Sequence, residues 1–159
     1  MPTSKNNILF TILFLLIFSV SAAYFIEHGL GYKPCKLCLY QRIPYFLSII
    51  LILNILFIKK FSRTNLLILC LVFVGSTILG FYHFGIEQGF FEELSICTTG
   101  STTEELSKEQ ILELLEQNTI SCKDVTFRIL GLSLATINSI FSLVLSVIFL
   151  KLFIGYENK

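Results

Sequence analysis

Charge is the scarcest commodity in this sequence. Only 14% of its 159 residues are Asp, Glu, Lys or Arg, against roughly 25% in soluble globular domains. That shortfall excludes an ordinary soluble fold. The net charge is +1, with no basic cluster, which excludes the electrostatic footprint of a nucleic-acid-binding protein. Tryptophan is absent and histidine occurs twice, with His28 alone near a cysteine in the chain. A metal-binding membrane protein would need more such ligands, so no metal site is expected. Internal repeats and low-complexity tracts are also missing. What remains is 54% hydrophobic, with 16 Phe and a mean hydropathy of +0.78. This is the composition of one small integral membrane domain.

The charges that do occur bracket four apolar windows, 6–26, 43–58, 64–86 and 129–150. At about 1.5 Å per residue, a helix of roughly 20 residues spans a hydrocarbon core of about 30 Å. Unpaired backbone groups are not tolerated in lipid, so each window is expected to be a helix. The expected class is an all-α four-transmembrane-helix bundle, with spans near 8–26, 39–58, 65–84 and 129–150. The first window resembles a secretory signal around Ser19-Val20-Ser21-Ala22. It stays apolar through Tyr24-Phe25-Ile26, which favours an uncleaved helix.

Four spans put segments 27–38 and 85–128 on one face of the membrane. The opposite face holds six Lys/Arg in the 22 residues of 1–7, 59–64 and 151–159. The first face also holds six, spread over the 58 residues of 27–42 and 87–128 with ten of the eleven acids. Density of positive charge therefore places both termini in the cytoplasm.

Four of the five cysteines fall on the other side. Cys35 and Cys38 form a Cys-x-x-Cys pair at the head of the second window, and Cys97 and Cys122 lie in the long polar segment. The compartment they face is then oxidising, where disulfides persist. Cys-x-x-Cys suits thiol–disulfide chemistry and often carries an activated thiol. The competing reading is half of a zinc site, which wants a second close pair; Cys97 and Cys122 are 25 positions apart. Two features favour a thiolate at Cys38: a helix N-terminus and Arg42 one turn on. Arg42 either snorkels to the headgroups or serves an active site, and the nearby Cys38 favours the second. His83, at the outer end of the third span, is either an interfacial residue beside Tyr82 or a partner for a bound ligand. Cys70 lies mid-span in Leu69-Cys70-Leu71 and reads as an inert small hydrophobe.

The long segment carries its own pattern. Ser107-Lys108-Glu109-Gln110 reads as a capping box with a Leu106–Ile111 staple. Ile111, Leu112, Leu114 and Leu115 then form the apolar stripe of a short amphipathic helix ending near Asn118. Such a helix either lies on the bilayer surface or packs on the ends of the spans. Cys97 precedes Thr98-Thr99-Gly100-Ser101, a flexible run.

Together these residues resemble the bacterial disulfide bond formation protein B (DsbB) family. Lys33-Pro34-Cys35-Lys36-Leu37-Cys38-Leu39-Tyr40-Gln41-Arg42 looks like that family's first-loop signature, and Tyr82-His83 like its motif at the end of the third helix. Cys122-Lys123-Asp124 and the later Leu130-Gly131-Leu132 look like its second-loop cysteine and the entry to its fourth helix. The resemblance covers nearly the whole chain. It departs at Phe127, where members often have Trp, at Ile129, where they have Phe, and at Gln41, where some have an acid. These departures bear on local packing rather than on the cysteines.

The resemblance implies a quinone-dependent thiol oxidase of the bacterial inner membrane. Cys97 would form the mixed disulfide with a periplasmic thioredoxin-like (DsbA-like) thiol oxidase. Cys122 would pass electrons to Cys35, and Cys38 would meet ubiquinone or menaquinone, with Arg42 and His83 beside it. A vitamin K epoxide reductase-like enzyme is the alternative from the same chemistry, but there the Cys-x-x-Cys comes late in the chain, and here it comes first. A non-enzymatic metal-binding membrane protein is the alternative from another class.

Overall fold

The computed structural model describes residues 3–58, 62–92, 122, 128–129 and 131–157. Cys97 and the amphipathic stretch expected at 107–118 lie outside them. Among the described residues the chain runs α1 (Thr3–Tyr24), a π-helical turn (Phe25–Gly29), α2 (Lys36–Tyr40), α3 (Ile43–Phe57), α4 (Ser62–Glu87), β1 (Arg128–Ile129), β2 (Leu132–Ser133) and α5 (Leu134–Glu157). Four helical stretches are long and apolar enough to cross a membrane: Lys5–Gly29, Lys36–Phe57, Ser62–Glu87 and Leu134–Tyr156. The protein is an all-α four-helix membrane protein.

Local chemistry sets the boundaries, and it moves several from where the apolar windows put them. The second span is broken at Gln41–Arg42 because Pro44 enters at the start of α3. A proline lacks the N–H that would bond the carbonyl four residues back, and its ring crowds that carbonyl. The fourth helix begins at Leu134 rather than near 129. Before it, 128–129 and 132–133 pair as two short antiparallel strands, with Arg128 opposite Ser133 and Ile129 opposite Leu132. Gly131, just ahead of the second strand, holds a positive φ of 84°, which favours glycine. Ser133 then caps α5, its hydroxyl accepting from the Thr136 N–H at 3.2 Å. The third helix continues past 84 to Glu87, an extension that matters for the site.

The bundle packs most extensively along α4 and α5. Lipid removes the hydrophobic driving force between helices, so close approach and buried polar contacts take its place. Gly80 permits that approach: a Cβ there would sit 3.0 Å from Ser139 Cβ. Ser76 and Ser142 hydrogen-bond across the pair at 2.9 Å. The core continues through Leu9, Leu16, Ile52, Ile55, Leu69, Leu145 and Phe149. Phe73 is fully buried there, stacked on Phe149 with centroids 5.5 Å apart and edge-on to Tyr45. At the end remote from Cys35 and Cys38, Lys5 donates to the Gly155 carbonyl at 2.7 Å, and Asn65 donates to Asn54 at 3.1 Å. Cys70 is buried in this core beside the Ser146 carbonyl, 3.7 Å away.

Candidate active site

A second cluster of buried residues forms at the other end, from Cys35, Leu37, Ile86 and Cys122, with Cys38, Leu79 and Tyr82 packed against it. Cys35 is the N-cap of α2, extended at φ −71° and ψ 166°, and its sulfur accepts from the Cys38 N–H at 3.4 Å. An N-cap side chain satisfies a backbone N–H that the first helical turn leaves open. Pro34 keeps the preceding backbone extended. Cys38 is therefore one turn into a helix start, as the spacing suggested.

The sulfurs are neighbours. Cys122 Sγ lies within 4.8 Å of Cys35 Sγ. Cys35 in turn donates its S–H to Cys38 Sγ at 3.1 Å. The neighbouring Cys122 thiol pulls the Cys35 pKa down. The bond to Cys38, burial and the charge of Cys38 outweigh it, and Cys35 is pushed up to about 12. Of the Cys-x-x-Cys pair, Cys35 thus keeps its proton and offers it to Cys38. Cys35, Cys38, Cys70 and Cys122 are in the thiol form.

Cys38 faces a cavity of about 350 Å³ between α1, α2, α3 and α5. Its walls are mainly apolar, with Phe18, Ala22, Ala23, Ile26, Ile137 and Phe141 among them. The polar groups on the lining are Glu27, Gln41, Arg42, Tyr45 and Asn138, with Lys33 and Ser19. A mostly apolar pocket with a few convergent polar groups is the usual form of a small-molecule site, and about 300–1,000 Å³ is the usual size. Arg42 is held rigidly: its guanidinium donates to Glu27 Oε2 at 2.6 Å and lies 4.8 Å over the Tyr24 ring. The π-helical turn carries Glu27 to this position, and such turns recur at functional sites.

His83 is elsewhere. It is 2% exposed, with Nε2 3.5 Å from Cys35 Sγ and 3.7 Å from Glu87 Oε1 and Nδ1 3.1 Å from Gln41 Nε2. It stands behind Cys35, and is not among the residues that line the cavity of Cys38 and Arg42. The structure therefore brings together Cys35, Cys122 and His83 as one buried cluster, with Cys38 against Cys35, and Cys38 and Arg42 on one cavity. Cys97 lies outside the described residues.

Glu27, Gln41 and Glu87 were not legible as site residues from the sequence alone. Glu27 looked like the charge that ends the first span, and its pairing with Arg42 joins two helices that no spacing rule connects. Glu87 looked like a loop residue until α4 proved long enough to carry it. The one available signal was Gln41, as a departure from the resembled pattern.

Comparison with known proteins bears on this arrangement directly. The chain is 32% identical over 156 residues to an uncharacterized protein of Rickettsia prowazekii (strain Madrid E), covering 97% of this chain and 88% of that one. The family model for Disulfide bond formation protein DsbB matches residues 5–152, which takes in most of each of the four spans and every cysteine named above. With most of each span, its buried sulfurs and nearly its full length inside that match, the chain belongs to the DsbB family of membrane disulfide-bond formation proteins.

Proposed function

We propose that the protein oxidises the dithiol of a soluble thioredoxin-like thiol oxidase in the periplasm and passes the electron pair to a membrane quinone. The coarser activity, a membrane disulfide oxidoreductase, follows from the family, and that family is generally quinone-linked. The observation that carries the finer reading is the run of neighbouring sulfurs Cys122–Cys35–Cys38, which ends on an apolar cavity beside Arg42.

The exchange steps balance as follows. A partner thiolate attacks Cys97 of a Cys97–Cys122 disulfide, and Cys122 leaves as a thiolate. The partner's second thiolate resolves the mixed disulfide, so the partner is oxidised and Cys97 and Cys122 are reduced. Cys122 then attacks a Cys35–Cys38 disulfide. Its neighbour is Cys35, so Cys35 is the sulfur attacked and Cys38 is the leaving thiolate. Cys97 attacks Cys122, Cys35 is released as a thiol, and the electron pair resides on Cys35 and Cys38. The thiolate is the reacting species throughout.

The cavity fits a quinone. Its apolar walls suit a ring and the start of an isoprenoid tail, and Arg42, Tyr45 and Asn138 bring polar groups to the lining for carbonyl oxygens. A bound quinone supplies an acceptor for two electrons and two protons. Cys35 holds one proton on its sulfur, next to Cys38. The Arg42 guanidinium, held by Glu27 and Tyr24, shares the cavity with Cys38 and would stabilise negative charge on a group bound there. Phe18 and Phe141 are among the apolar walls. In this reading the protein sits in the bacterial inner membrane, with both termini cytoplasmic and Cys35, Cys38, Cys97 and Cys122 on the periplasmic side.

The test supplies purified protein with a reduced thioredoxin-like partner and either ubiquinone or menaquinone, and follows quinone absorbance. Turnover dependent on both substrates is expected, and Cys38→Ser should abolish it. Partner oxidation that continues without any quinone, beyond the two equivalents the protein's own two disulfides can take, would overturn the reading.

A further inference from the structure

The electron relay uses Cys35 and Cys122 as sulfurs, but their buried surroundings offer something that thiol exchange does not require. Cys35 Sγ, Cys122 Sγ and a ring nitrogen of His83 all lie within 4.8 Å of one another, and all three residues are buried. Glu87 Oε1 approaches the same His83 Nε2 at 3.7 Å. Two sulfurs and one imidazole converge on one point, and the Glu87 carboxylate borders it on the His83 side. We propose that the reduced protein binds a zinc ion there through Cys35, Cys122, His83 and Glu87, and that the ion blocks the relay.

The donor set and spacing are those zinc takes. Bond lengths of about 2.3 Å to sulfur and about 2.0 Å to nitrogen or oxygen in a tetrahedron separate neighbouring ligand atoms by about 3.3–3.8 Å. Cys35 and His83 are already 3.5 Å apart, and His83 and Glu87 3.7 Å. The remaining adjustment draws Cys122 in and swings the Glu87 carboxylate from His83 toward the two sulfurs. Binding displaces one proton from each thiol and changes no oxidation state.

Gln41 supplies the outer support such a site needs. A metal-bound histidine usually donates its other ring N–H to a carbonyl or carboxylate. The Gln41 side-chain amide sits 3.1 Å from His83 Nδ1. Turned by half a rotation, it presents its oxygen, so that Nδ1 carries the proton and Nε2 is free to bind. Which way the amide points is an assignment made from its partners, and the two orientations correspond to the empty and filled site. Cys38 is not part of the cluster and lines the cavity instead.

The consequence is a redox-gated metal site. Cys35 and Cys122 are both thiols only while the protein carries electrons it has not yet passed on. A zinc ion held between them ties up the attacking and the attacked sulfur together. Any disulfide at Cys35 or Cys122 removes a ligand and releases the ion.

The test titrates anaerobic, fully reduced protein in detergent with zinc chloride against a chromophoric chelator. One tightly bound zinc per reduced chain is expected, and none at this affinity in the oxidised chain. Cys122→Ser and His83→Gln should each weaken binding by at least about 100-fold, whereas Gln41→Glu should tighten it by about tenfold, as a carboxylate behind a ligating histidine does. Cys38→Ser, Cys70→Ser and Cys97→Ser should keep the site. X-ray absorption of the wild-type zinc form gives a readout independent of any variant's folding, with two sulfur and two lighter ligands expected. Three or more sulfur ligands, equal binding by the oxidised chain, or loss of zinc in Cys97→Ser would overturn the proposal.

Discussion

At the scale of single residues, the chemistry turns on which atoms each cysteine touches. Cys70 is buried against the Ser146 carbonyl with no ionisable neighbour in its contacts. Serine there should leave turnover within about twofold of wild type. Serine at Cys35, Cys38, Cys97 or Cys122 should abolish it in the coupled thiol–quinone assay. Normal steady-state turnover in Cys122→Ser would rule out the relay. Arg42 presents a sharper case because it is held from two sides. Losing a charge-assisted hydrogen bond costs about 1.5–3 kcal/mol, so Arg42→Gln should raise the apparent quinone KM by roughly 10- to 100-fold. Arg42→Lys should rescue only part of this, since an ammonium neither stacks on Tyr24 nor reproduces the guanidinium fork. Glu27→Gln should raise the same KM by less, because the Tyr24 contact remains. A wild-type quinone KM in Arg42→Gln would reduce Arg42 to a headgroup anchor. Exchange between Cys97 and the soluble partner should change little in either variant.

At the scale of elements, the contact between α4 and α5 is both the closest and the one most open to test. A side chain at Gly80 must enter space held by the Ser139 backbone and Cβ, at 3.0–3.2 Å. Gly80→Leu should therefore destabilise the bundle by about 1–3 kcal/mol through overpacking, while Gly75→Ala, where an added Cβ meets nothing within 4 Å, should not. Thermal unfolding in detergent distinguishes the two; equal melting temperatures would show that α4 and α5 do not pack at Gly80. Phe73→Ala works in the opposite sense, removing a ring buried between Tyr45 and Phe149. A cost of about 3–5 kcal/mol is expected from the cavity it leaves. The break between α2 and α3 belongs to this scale as well. It lets α2 bring Cys38, and the break itself bring Arg42, onto one cavity, while α3 carries Tyr45 into the core.

At the scale of the whole molecule, the question is orientation in the bilayer. In the proposed orientation the two cysteine-bearing segments share a face, and the dense bases of 1–7, 59–64 and 151–159 mark the other as cytoplasmic. A membrane-impermeant maleimide added to intact, pre-reduced cells should label Cys97. Labelling only after the inner membrane is broken would invert the topology. Cys70 should stay unlabelled in both cases, because it is buried within the bundle.

The sequence by itself determined the class and the number of spans, and it singled out the cysteines proposed to react. Each of these depends on local composition: stretches of about 20 uncharged residues, a Cys-x-x-Cys beside a helix start, an arginine one turn on. It misjudged helix ends where a single residue intervenes, at Pro44, at Gly131 with Ser133, and at the extension to Glu87. Only the tertiary structure decided which groups meet. Cys122 and Cys35 are 87 positions apart, His83 and Gln41 are 42 apart, and Glu27 and Arg42 lie on different helices. Helical periodicity relates residues within a turn or two, whereas contacts between helices depend on the crossing and rotation that packing imposes. That is why His83 could be expected near the cofactor and yet stand behind Cys35, and why the acid that steadies Arg42 looked, in the sequence, like no more than the end of an apolar run.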